Sequence, residues 1–400
     1  MRLKDLCVDA GQYGLNISAQ DYALDGYRLI RTSDIDETGR LRSRDNAVFV
    51  DVPLDARHRV RGGDLLLSRS GTVGRALLLG ATDEPCTYAG YLVRFRPLRT
   101  TEPRFLSYVA ASSGFQAAVM ADAVTSTIQN FNAERYANIH ISAPPFDEQR
   151  RIADFLDAET GRVDRLMSSQ LQVLNLLEER ANAQILQIIG QSLLVRLEGT
   201  PIIPMRRVVQ KLYRPTMPTE EVITAFRDGQ VTSRFVRRSE GYTLSASTDI
   251  QGQGVEVGDI VIHGLDGFAG AIGDSEASGN CSPVYHICIP IDGGNSTFYG
   301  RLLRLLSLSD YLALYGGSAR ERAVDFRNWK IFGRAPIPQV EPAAQHEIGN
   351  SITRIRPLRE EVKRFNERLT ERRQALITAA VTGQIDVTTA GGLASAGGAA

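Results

Sequence analysis

The sequence repeats itself in one register along most of its length. Around Asp64 and again around Asp259, a Gly-Asp pair precedes a short apolar run, polar residues and two glycines. The offset between these aspartates is 195 residues (259 − 64). Further pairs keep this offset to within one residue: Cys86 and Cys281, Phe131 and Phe326, Gln149 and Gln345. The chain therefore consists of two copies of a unit about half its length.

Each copy is predicted to contain a globular part followed by a helical part. The globular parts, 1–145 and 201–340, contain short apolar runs separated by Gly, Asn and Asp, which predicts mixed α/β, strand-rich domains. The helical parts are 146–200, including a linker, and 341–387. The Gly- and Ala-rich tail, 388–400, lacks the residues of a core and is predicted to be disordered.

Alternating steps of three and four residues separate the side chains expected to form a seam on each helix. The first set is Met167, Leu171, Leu174, Glu178, Ala181, Ile185 and Ile188. The second set is Ile355, Leu358, Val362, Phe365, Leu369, Arg372, Leu376 and Ala379. This spacing is typical of a coiled coil, so each helix is expected to pair with the other.

Three residues predict where these helices break or end. Gly161 and Pro357 occupy equivalent positions, and both residue types disfavour a continuous helix. Gly383 is expected to terminate the second helix. The predicted fold class is α+β, with two mixed α/β domains in a tandem pseudo-two-fold repeat, separated by two long helices packed as an antiparallel coiled coil.

Charge excludes a protein that binds nucleic acid through a general positive field. The chain has 46 basic and 46 acidic residues, so its formal net charge is zero. The basic residues are 42 arginines and 4 lysines, a bias that a GC-rich genome also produces. No long apolar segment or signal-peptide core occurs, which predicts a soluble cytoplasmic protein.

Motifs for independent catalysis are missing or incomplete. The sequence lacks the phosphate-binding pattern GxxxxGK[ST]. Ala143-Pro-Pro-Phe146 looks like the motif of amino-methyltransferases, but alanine cannot accept a hydrogen bond from the amino group to be methylated. Glu361-Val-Lys363, a fragment of a nuclease-like pattern, sits among helix-surface charges. The chain is therefore predicted not to be an enzyme.

Two histidines and two cysteines form the best candidate metal set. They are His263, Cys281, His286 and Cys288. Their spacing matches no usual zinc finger, and the four cysteines of the chain form no CxxC pair. The prediction is that the chain holds no metal.

Several motifs resemble those of the specificity (S) subunits of Type I restriction–modification systems, over nearly the whole chain. Pro144-Pro-Phe-Asp-Glu-Gln-Arg-Arg-Ile-Ala-Asp-Phe-Leu156 is similar to that family's entry into its first long helix. Leu376-Ile-Thr-Ala-Ala-Val-Thr-Gly-Gln-Ile-Asp386 is similar to its C-terminal signature. The two Gly-Asp segments, beginning at Gly63 and Gly258, are similar to the core of its target-recognition domains.

The resemblance implies a function in DNA recognition. Each globular part would be a target-recognition domain that reads one half of a bipartite double-stranded DNA sequence, and the helices would set the gap between the halves. The chain would dock two adenine-methyltransferase subunits and, in a full complex, motor–nuclease subunits. AdoMet and ATP with Mg²⁺ would belong to those partners, so no cofactor is expected here. A bacterial or archaeal cytoplasm would be its location.

Candidate DNA-binding residues follow from local concentrations of arginine and from the loops after the Gly-Asp strands. In the first copy they are Arg57, Arg59, Arg61, Ser68, Arg69, Ser70, Thr72 and Arg75. In the second copy they are Arg227, Arg234, Arg237, Arg238, His263 and Asp266. Arginine suits phosphate and base-edge contacts, although the same side chains could simply pair with neighbouring carboxylates. Because the two loops differ, the two half-sites should differ.

Two alternatives remain open on the sequence. The chain could be a coiled-coil adaptor whose globular parts bind proteins, which would show no salt-dependent DNA binding. It could also be an enzyme with an unrecognised site, which would show turnover as a purified chain.

Overall fold

The structure, a computed structural model, describes residues 1–81, 85–123, 131–190, 201–219, 221–237, 252–320 and 323–387. The chain divides into two compact units, Met1–Ser169 with Arg364–Ala400, and Gln170–Lys363. The domain boundaries predicted from the sequence remain predictions. The tail at 388–400 lies outside the described residues.

The first unit contains two sheets and three short helices. Strand order is β1-β7-β4-β5 in one sheet, which is antiparallel, and β3-β2-β6 in the other, where β2 and β6 run parallel. The elements are β1 (Gln12–Tyr13), β2 (Tyr27–Ile30), β3 (Val48–Val50), β4 (Leu65–Ser68), β5 (Ala76–Leu78), β6 (Cys86–Tyr88), β7 (Leu92–Phe95), α1 (Pro103–Ala111), α2 (Ser113–Ala123) and α3 (Ala133–Ala137).

The second unit repeats the main sheet of the first. Its four-stranded antiparallel sheet has the order β9-β16-β13-β14, which matches β1-β7-β4-β5 strand for strand. The elements are β8 (Ile202–Pro204), β9 (Val209–Leu212), β10 (Ile223–Ala225), β11 (Val231–Ser233), α5 (Arg234–Arg237), β12 (Gln253–Val255), β13 (Ile260–His263), β14 (Ile272–Asp274), β15 (Gly279–Cys281), β16 (Tyr285–Pro290), α6 (Ser296–Leu308), β17 (Gly317–Arg320), β18 (Ala323–Asp325), α7 (Trp329–Phe332) and β19 (Pro336–Pro338).

Both central strands are buried on both faces. In β4 the side chains of Leu65 and Leu67 join the cluster that includes α1, whereas Leu66 joins the cluster of the three-stranded sheet. In β13, Ile260 and Val261 divide between two clusters in the same way. This two-sided burial explains why these strands appear in the sequence as uninterrupted apolar runs rather than alternating patterns.

The Gly-Asp pairs begin these strands through the same turn. Gly63 and Gly258 adopt φ angles of +89° and +87°, which glycine tolerates without a steric cost. The carboxylate of Asp64 accepts a hydrogen bond from the Arg61 N–H at 3.0 Å, and Asp259 accepts one from the Glu256 N–H at 2.8 Å. The duplication predicted from the sequence is thus present in sheet order, backbone conformation and hydrogen bonding.

Two long helices, α4 (Phe146–Ile189) and α8 (Pro342–Val381), contribute residues to both units. In the first unit, Asp164 of α4 lies 3.5 Å from Arg373 of α8. In the second unit, Glu178 pairs with Arg359. Positions further along α4 meet positions earlier on α8, as antiparallel helices require.

The predicted interruptions of these helices are wrong. Both helices continue through Gly161 and Pro357. A proline inside a helix costs about 3 kcal/mol and a glycine about 1 kcal/mol relative to alanine. Tertiary packing offsets these local costs, because α8 buries Ile355 before the proline and Leu369 after it. Pro357 itself is exposed.

The predicted seam is only partly buried. Leu174 and Leu369 lie inside, whereas Leu171 and Leu358 are 49% and 43% exposed and Arg372 is exposed. Each helix also packs on the globular cores of the units, so two neighbours determine its buried face. The end of α8 is as predicted: Gly383 has a φ of +74°, and its N–H donates to the Ala380 carbonyl.

One glutamine in each copy attaches a long helix to its globular part. The amide oxygen of Gln149 accepts from the Glu102 N–H at 3.0 Å, and that of Gln345 accepts from the Asn295 N–H at 3.1 Å. Glu102 and Asn295 are the N-cap residues of α1 and α6. The equivalent contacts explain why this glutamine recurs in the sequence. None of the described helices is long and apolar enough to cross a membrane.

His286 lies in the core of the second unit, with 2% of its surface exposed. Its Nε2 is 2.7 Å from the Phe326 carbonyl oxygen, and its ring centroid is 5.2 Å from that of Trp329. Burial lowers the pKa of His286 from 6.5 to about 4, because a charged ring would lose its hydration. The native core therefore resists protonation that the unfolded chain accepts.

The free energy of unfolding of the second unit should fall as the pH falls from 6.5 towards 4. In this window the unfolded chain gains a proton at position 286 and the native chain does not, which destabilises the fold by at most about 3 kcal/mol. Urea unfolding followed by fluorescence of Trp329, the single tryptophan, measures this effect. His286→Gln keeps a donor for Phe326 and should weaken the pH dependence. The same change at exposed His346 is the control, and equal profiles for the two variants would contradict the assignment.

Candidate nucleic-acid interface

The first candidate hairpin joins β4 to β5 through residues 69–75. Gly71 and Gly74 adopt φ angles of +74° and +85°, which allow the tight turn. The buried hydroxyl of Tyr136 supports the turn from inside: it donates to the Ser68 carbonyl at 2.7 Å and accepts from the Gly74 N–H at 3.0 Å. The outward side chains of this hairpin therefore have a fixed support.

Two of the predicted residues serve the framework of this hairpin. Ser68 is fully buried, and its hydroxyl donates to the Thr72 carbonyl and accepts from the Arg75 N–H at 3.0 Å. The Arg75 guanidinium donates to the Ile35 carbonyl at 2.8 Å. In these positions Ser68 closes the turn instead of presenting its hydroxyl, and Arg75 ties the hairpin to a neighbouring loop.

The outer side of the hairpin carries the other three predicted residues. Thr72 is exposed, and Arg69 and Ser70 are half-buried. The Arg69 guanidinium lies 4.7 Å from the ring centroid of Tyr13, whose hydroxyl accepts from the Ala133 N–H at 3.0 Å. Such a cation–π contact contributes about 0.5–1 kcal/mol at an exposed site and orients the arginine. Sequence reasoning missed Tyr13, because no spacing signal links it to a loop more than fifty residues away.

Three predicted arginines precede β4. Arg57 forms an exposed ion pair with Asp55 at 3.2 Å. Arg59 and Arg61 are exposed, and neither guanidinium forms a hydrogen bond or ion pair with another described residue. An exposed ion pair contributes about 0–1 kcal/mol, so Arg57 could exchange its carboxylate for a phosphate at little cost.

Asp64 lies beneath this arginine segment and is 1% exposed. Arg96 donates to its two carboxylate oxygens at 2.7 and 2.8 Å and also to the Arg59 carbonyl at 3.1 Å. Arg96 thereby fixes the backbone of the segment against the start of β4. Its role was missed because its partner stands 32 residues earlier (96 − 64) and on another strand.

The second candidate hairpin joins β13 to β14 through residues 264–271. His263 accepts at Nδ1 from the N–H groups of Leu265 and Asp266, at 3.1 and 3.0 Å. Burial lowers the pKa of His263, which favours the neutral ring that these two donors require. The partly exposed carboxylate of Asp266 pairs with Arg227 at 3.0 Å. His263 thus shapes the turn, and Asp266 with Arg227 forms its surface.

Arg237 and Arg234 lie on the short helix α5 of the same unit. Arg237 pairs with Asp228 at 2.7 Å, and its guanidinium lies 4.4 Å from the ring centroid of Phe226. Arg234 is half-buried. Arg238 lies outside the described residues.

Ion pairs engage three of the predicted residues in the second unit, Arg227, Arg237 and Asp266. Asp266 binds Arg227, and the next residue in sequence, Asp228, binds Arg237. In the first unit no described side-chain contact joins Arg57 to the hairpin at 69–75. The expectation that some of these arginines pair with neighbouring carboxylates is therefore correct for Arg57, Arg227 and Arg237.

The candidate metal residues are parts of the core. Burial raises the pKa of Cys281 to about 12 and that of Cys288 further, so neither is a thiolate at neutral pH. Nε2 of His286 is occupied by the Phe326 carbonyl. Among the described residues, no three His, Cys, Asp or Glu side chains are grouped to hold a metal ion.

Removing the hydroxyl of Tyr136 should loosen the first hairpin. Tyr136→Phe loses the bonds to Ser68 and Gly74 and should lower the free energy of unfolding by about 1–3 kcal/mol, since two buried backbone groups each lose a partner. Hydrogen exchange of a peptide covering 68–78 should accelerate. Tyr108→Phe, which removes a hydroxyl bonded to Asp157 instead, is the matched control. Unchanged exchange in the Tyr136 variant would show that the hydroxyl does not support the turn.

The chain is similar to a known domain family and to solved structures. Residues 12–176 match the family model of the Type I restriction modification DNA specificity domain. Comparison with curated proteins gave no match. A solved structure from work on complex assembly and conformational transition of the type I R-M system has a TM-score of 0.60 at 14% identity, covering 95% of this chain and 96% of that chain.

Two further solved structures align over most of the chain. The S subunit from M. genitalium is 15% identical over 95% of each chain, with a TM-score of 0.48. The HsdS subunit from Thermoanaerobacter tengcongensis is 17% identical over 96% of each chain, with a TM-score of 0.43. The family model agrees with the resemblance carried by the sequence motifs: residues 12–176 are similar to Type I restriction modification DNA specificity domains.

Proposed function

We propose that this chain is the DNA sequence-specificity subunit of a Type I restriction–modification complex, and that each globular part reads one half of a bipartite target. The observation that carries this proposal is that the two copies share one framework but present different side chains on their hairpins. The main four-stranded sheet, the Gly-Asp turns and the helix-anchoring glutamines recur in both copies. The hairpins at the same sheet position present Arg69 and Thr72 in one copy and Asp266 with Arg227 in the other.

The charge distribution suits recognition through local contacts. The formal net charge is zero, so a general field would not hold DNA. Arg59 and Arg61, whose guanidinium groups bond no other described residue, could bind phosphates, and phosphate contacts position a protein on DNA. Arg69 is oriented by Tyr13 and could reach a base edge, where arginine recognises guanine with two hydrogen bonds.

The long helices would set the gap between the half-sites and dock two adenine-methyltransferase subunits. The helix α4 supports this second role with apolar side chains left at its surface, among them Val173 and Leu176, which are 54% and 56% exposed. Helix surfaces of this kind fit partner helices. Motor–nuclease subunits would join in a full complex.

Chemistry would then belong to the complex rather than to this chain. AdoMet would be bound by the methyltransferase subunits and ATP with Mg²⁺ by the motor subunits. The chain itself would be non-catalytic, and its place would be the cytoplasm of a bacterial or archaeal cell, where its DNA target lies.

Arg59→Ala and Arg61→Ala should each weaken DNA binding by the chain assembled with its methyltransferase subunits. Each variant should reduce the slope of log Kd against log salt concentration by about one, because one fewer counterion is released. Target and non-target DNA should be affected alike. Arg354→Ala, at an exposed position on α8, is the charge-matched control and should keep the slope.

Fluorescence anisotropy with labelled duplexes at several salt concentrations measures these slopes. Unchanged slopes in both variants would remove these arginines from the interface. Absence of any salt-dependent binding, with methyltransferase present, would contradict the proposed function and favour the adaptor hypothesis.

A further inference from the structure

The second unit contains a cavity of about 370 Å³. Its walls come from α4, α5, α6, α8, strand β14 and the turn between β10 and β11. Ile272, Ile352 and Ile355 form an apolar side, and arginines from α6 and α8 form a basic side. Cavities of this size are large enough for small organic ligands.

Two arginines of this cavity form no ion pair with a carboxylate in the described part of the chain. Arg301 donates to the Asn182 amide oxygen at 3.2 Å, and Arg304 donates to the Arg227 carbonyl at 3.2 Å. Neither guanidinium forms an ion pair with a described carboxylate, and Nε of Arg304 is buried without a hydrogen-bond partner among the described residues. Each therefore retains N–H donors that no described group uses.

The nearby carboxylates are already engaged by other cations. Asp274 and Glu276 both bind Arg356, at 2.5 and 3.1 Å. Glu178 binds Arg359. Asp228 likewise binds Arg237 of α5. Among the described ion pairs of these four acids, none includes an arginine of α6.

Electrostatics disfavour this arrangement without an added anion. Burial lowers the pKa of Arg301; the charge of Glu178 raises it, but the positive charges of Arg304, Arg359 and Arg356 oppose that effect. Burial also lowers the pKa of Arg304. Since arginine stays protonated in proteins, both guanidinium groups remain charged, and neither forms an ion pair with a described carboxylate.

The first copy shows that the fold does not require these charges. The N-caps Glu102 and Asn295 are equivalent, because each donates its N–H to the anchoring glutamine. The residue six positions after the N-cap is Tyr108 in the first copy and Arg301 in the second. The residue nine positions after the N-cap is Ala111 in the first copy and Arg304 in the second. The Tyr108 hydroxyl bonds Asp157 at 2.6 Å, so the first copy fills this place with a neutral, satisfied group.

We propose that this cavity binds a small phosphate-bearing anion, with Arg301 and Arg304 donating to its oxygens. Guanidinium groups suit phosphate because their N–H groups form parallel, charge-assisted bonds to two oxygens. The apolar side would receive an organic body attached to the phosphate. Inorganic phosphate and a nucleoside monophosphate share the recognised group and differ in that body.

The test uses the full chain and measures binding of inorganic phosphate and of adenosine 5′-monophosphate by calorimetry, at ionic strength held constant with chloride. Saturable binding of at least one probe is expected, with a Kd below about 1 mM. Tighter binding of the nucleotide would indicate an organic phosphate, and equal binding would indicate the free ion. Absence of saturation by either probe up to about 10 mM would overturn the proposal.

Variants connect the binding to the two arginines. Arg301→Gln should weaken binding at least about tenfold, since one charged donor group is lost. The double change Arg301→Tyr with Arg304→Ala copies the first unit and should abolish binding while the unit stays folded, as Trp329 fluorescence reports. Arg354→Gln removes one positive charge at an exposed position of α8, outside the cavity lining, and should leave binding unchanged. Equal loss in the control, or undiminished binding in the double variant, would overturn the assignment.

The unfolding temperature provides a second readout. Without phosphate, the double variant should unfold at the same temperature as the wild type or higher, because two half-buried charges that form no ion pair with a described carboxylate have been removed. With phosphate, the wild type alone should gain stability, since the ligand binds only the folded state. A double variant stabilised by phosphate as strongly as the wild type would contradict the proposed site.

Discussion

A buried aspartate at the start of the central strand organises each copy. Asp64 and Asp259 are 1% and 2% exposed, so their charges need compensation from within the protein. Arg96 binds the first and Arg214 the second, and each aspartate also accepts a backbone N–H from the turn before it. Burial raises the pKa of Asp259, which shows the cost that Arg214 opposes. These ion pairs fix where β4 and β13 begin, and thereby where the candidate hairpins emerge.

The same anchoring scheme uses different partners in the two copies. Arg96 follows β7, an inner strand beside β4, whereas Arg214 follows β9, the edge strand that corresponds to β1. A shared framework therefore tolerates sequence change at its supports as well as on its surface. The cavity with Arg301 and Arg304 is a further example, since the equivalent place in the first copy holds Tyr108 and Ala111. Duplication followed by local change accounts for both observations.

Sequence reasoning identified what repeats and what is periodic. The offset of 195 residues located the duplicated Gly-Asp turns, and the heptad spacing located the long helices. It failed where tertiary contacts outweigh local preference. Pro357 lies within a continuous helix because burial on either side of it offsets its cost, and Leu171 is exposed because the globular core also determines which face of α4 is buried.

In the candidate site, too, some features could be predicted from the sequence and others depend on tertiary contacts. Local concentrations of arginine marked the candidate residues, and the glycines predicted a turn after the strand that precedes Arg69. They could not reveal that Ser68 is buried, that Asp266 holds Arg227, or that Tyr13 lies under Arg69, because these contacts join segments far apart in sequence or depend on the turn geometry. Which charged groups pair with one another therefore depends on the folded structure and not on their spacing in the sequence.

The central claim is that each copy selects its own half of a DNA target. Long-read methylation sequencing of cells carrying the chain, before and after exchange of residues 1–145 for the corresponding part of another specificity subunit, tests it most directly. The account predicts a bipartite methylated adenine motif in which one half changes while the other half and the gap stay the same. A methylated motif that is unchanged by the exchange, or whose two halves change together, would contradict the account.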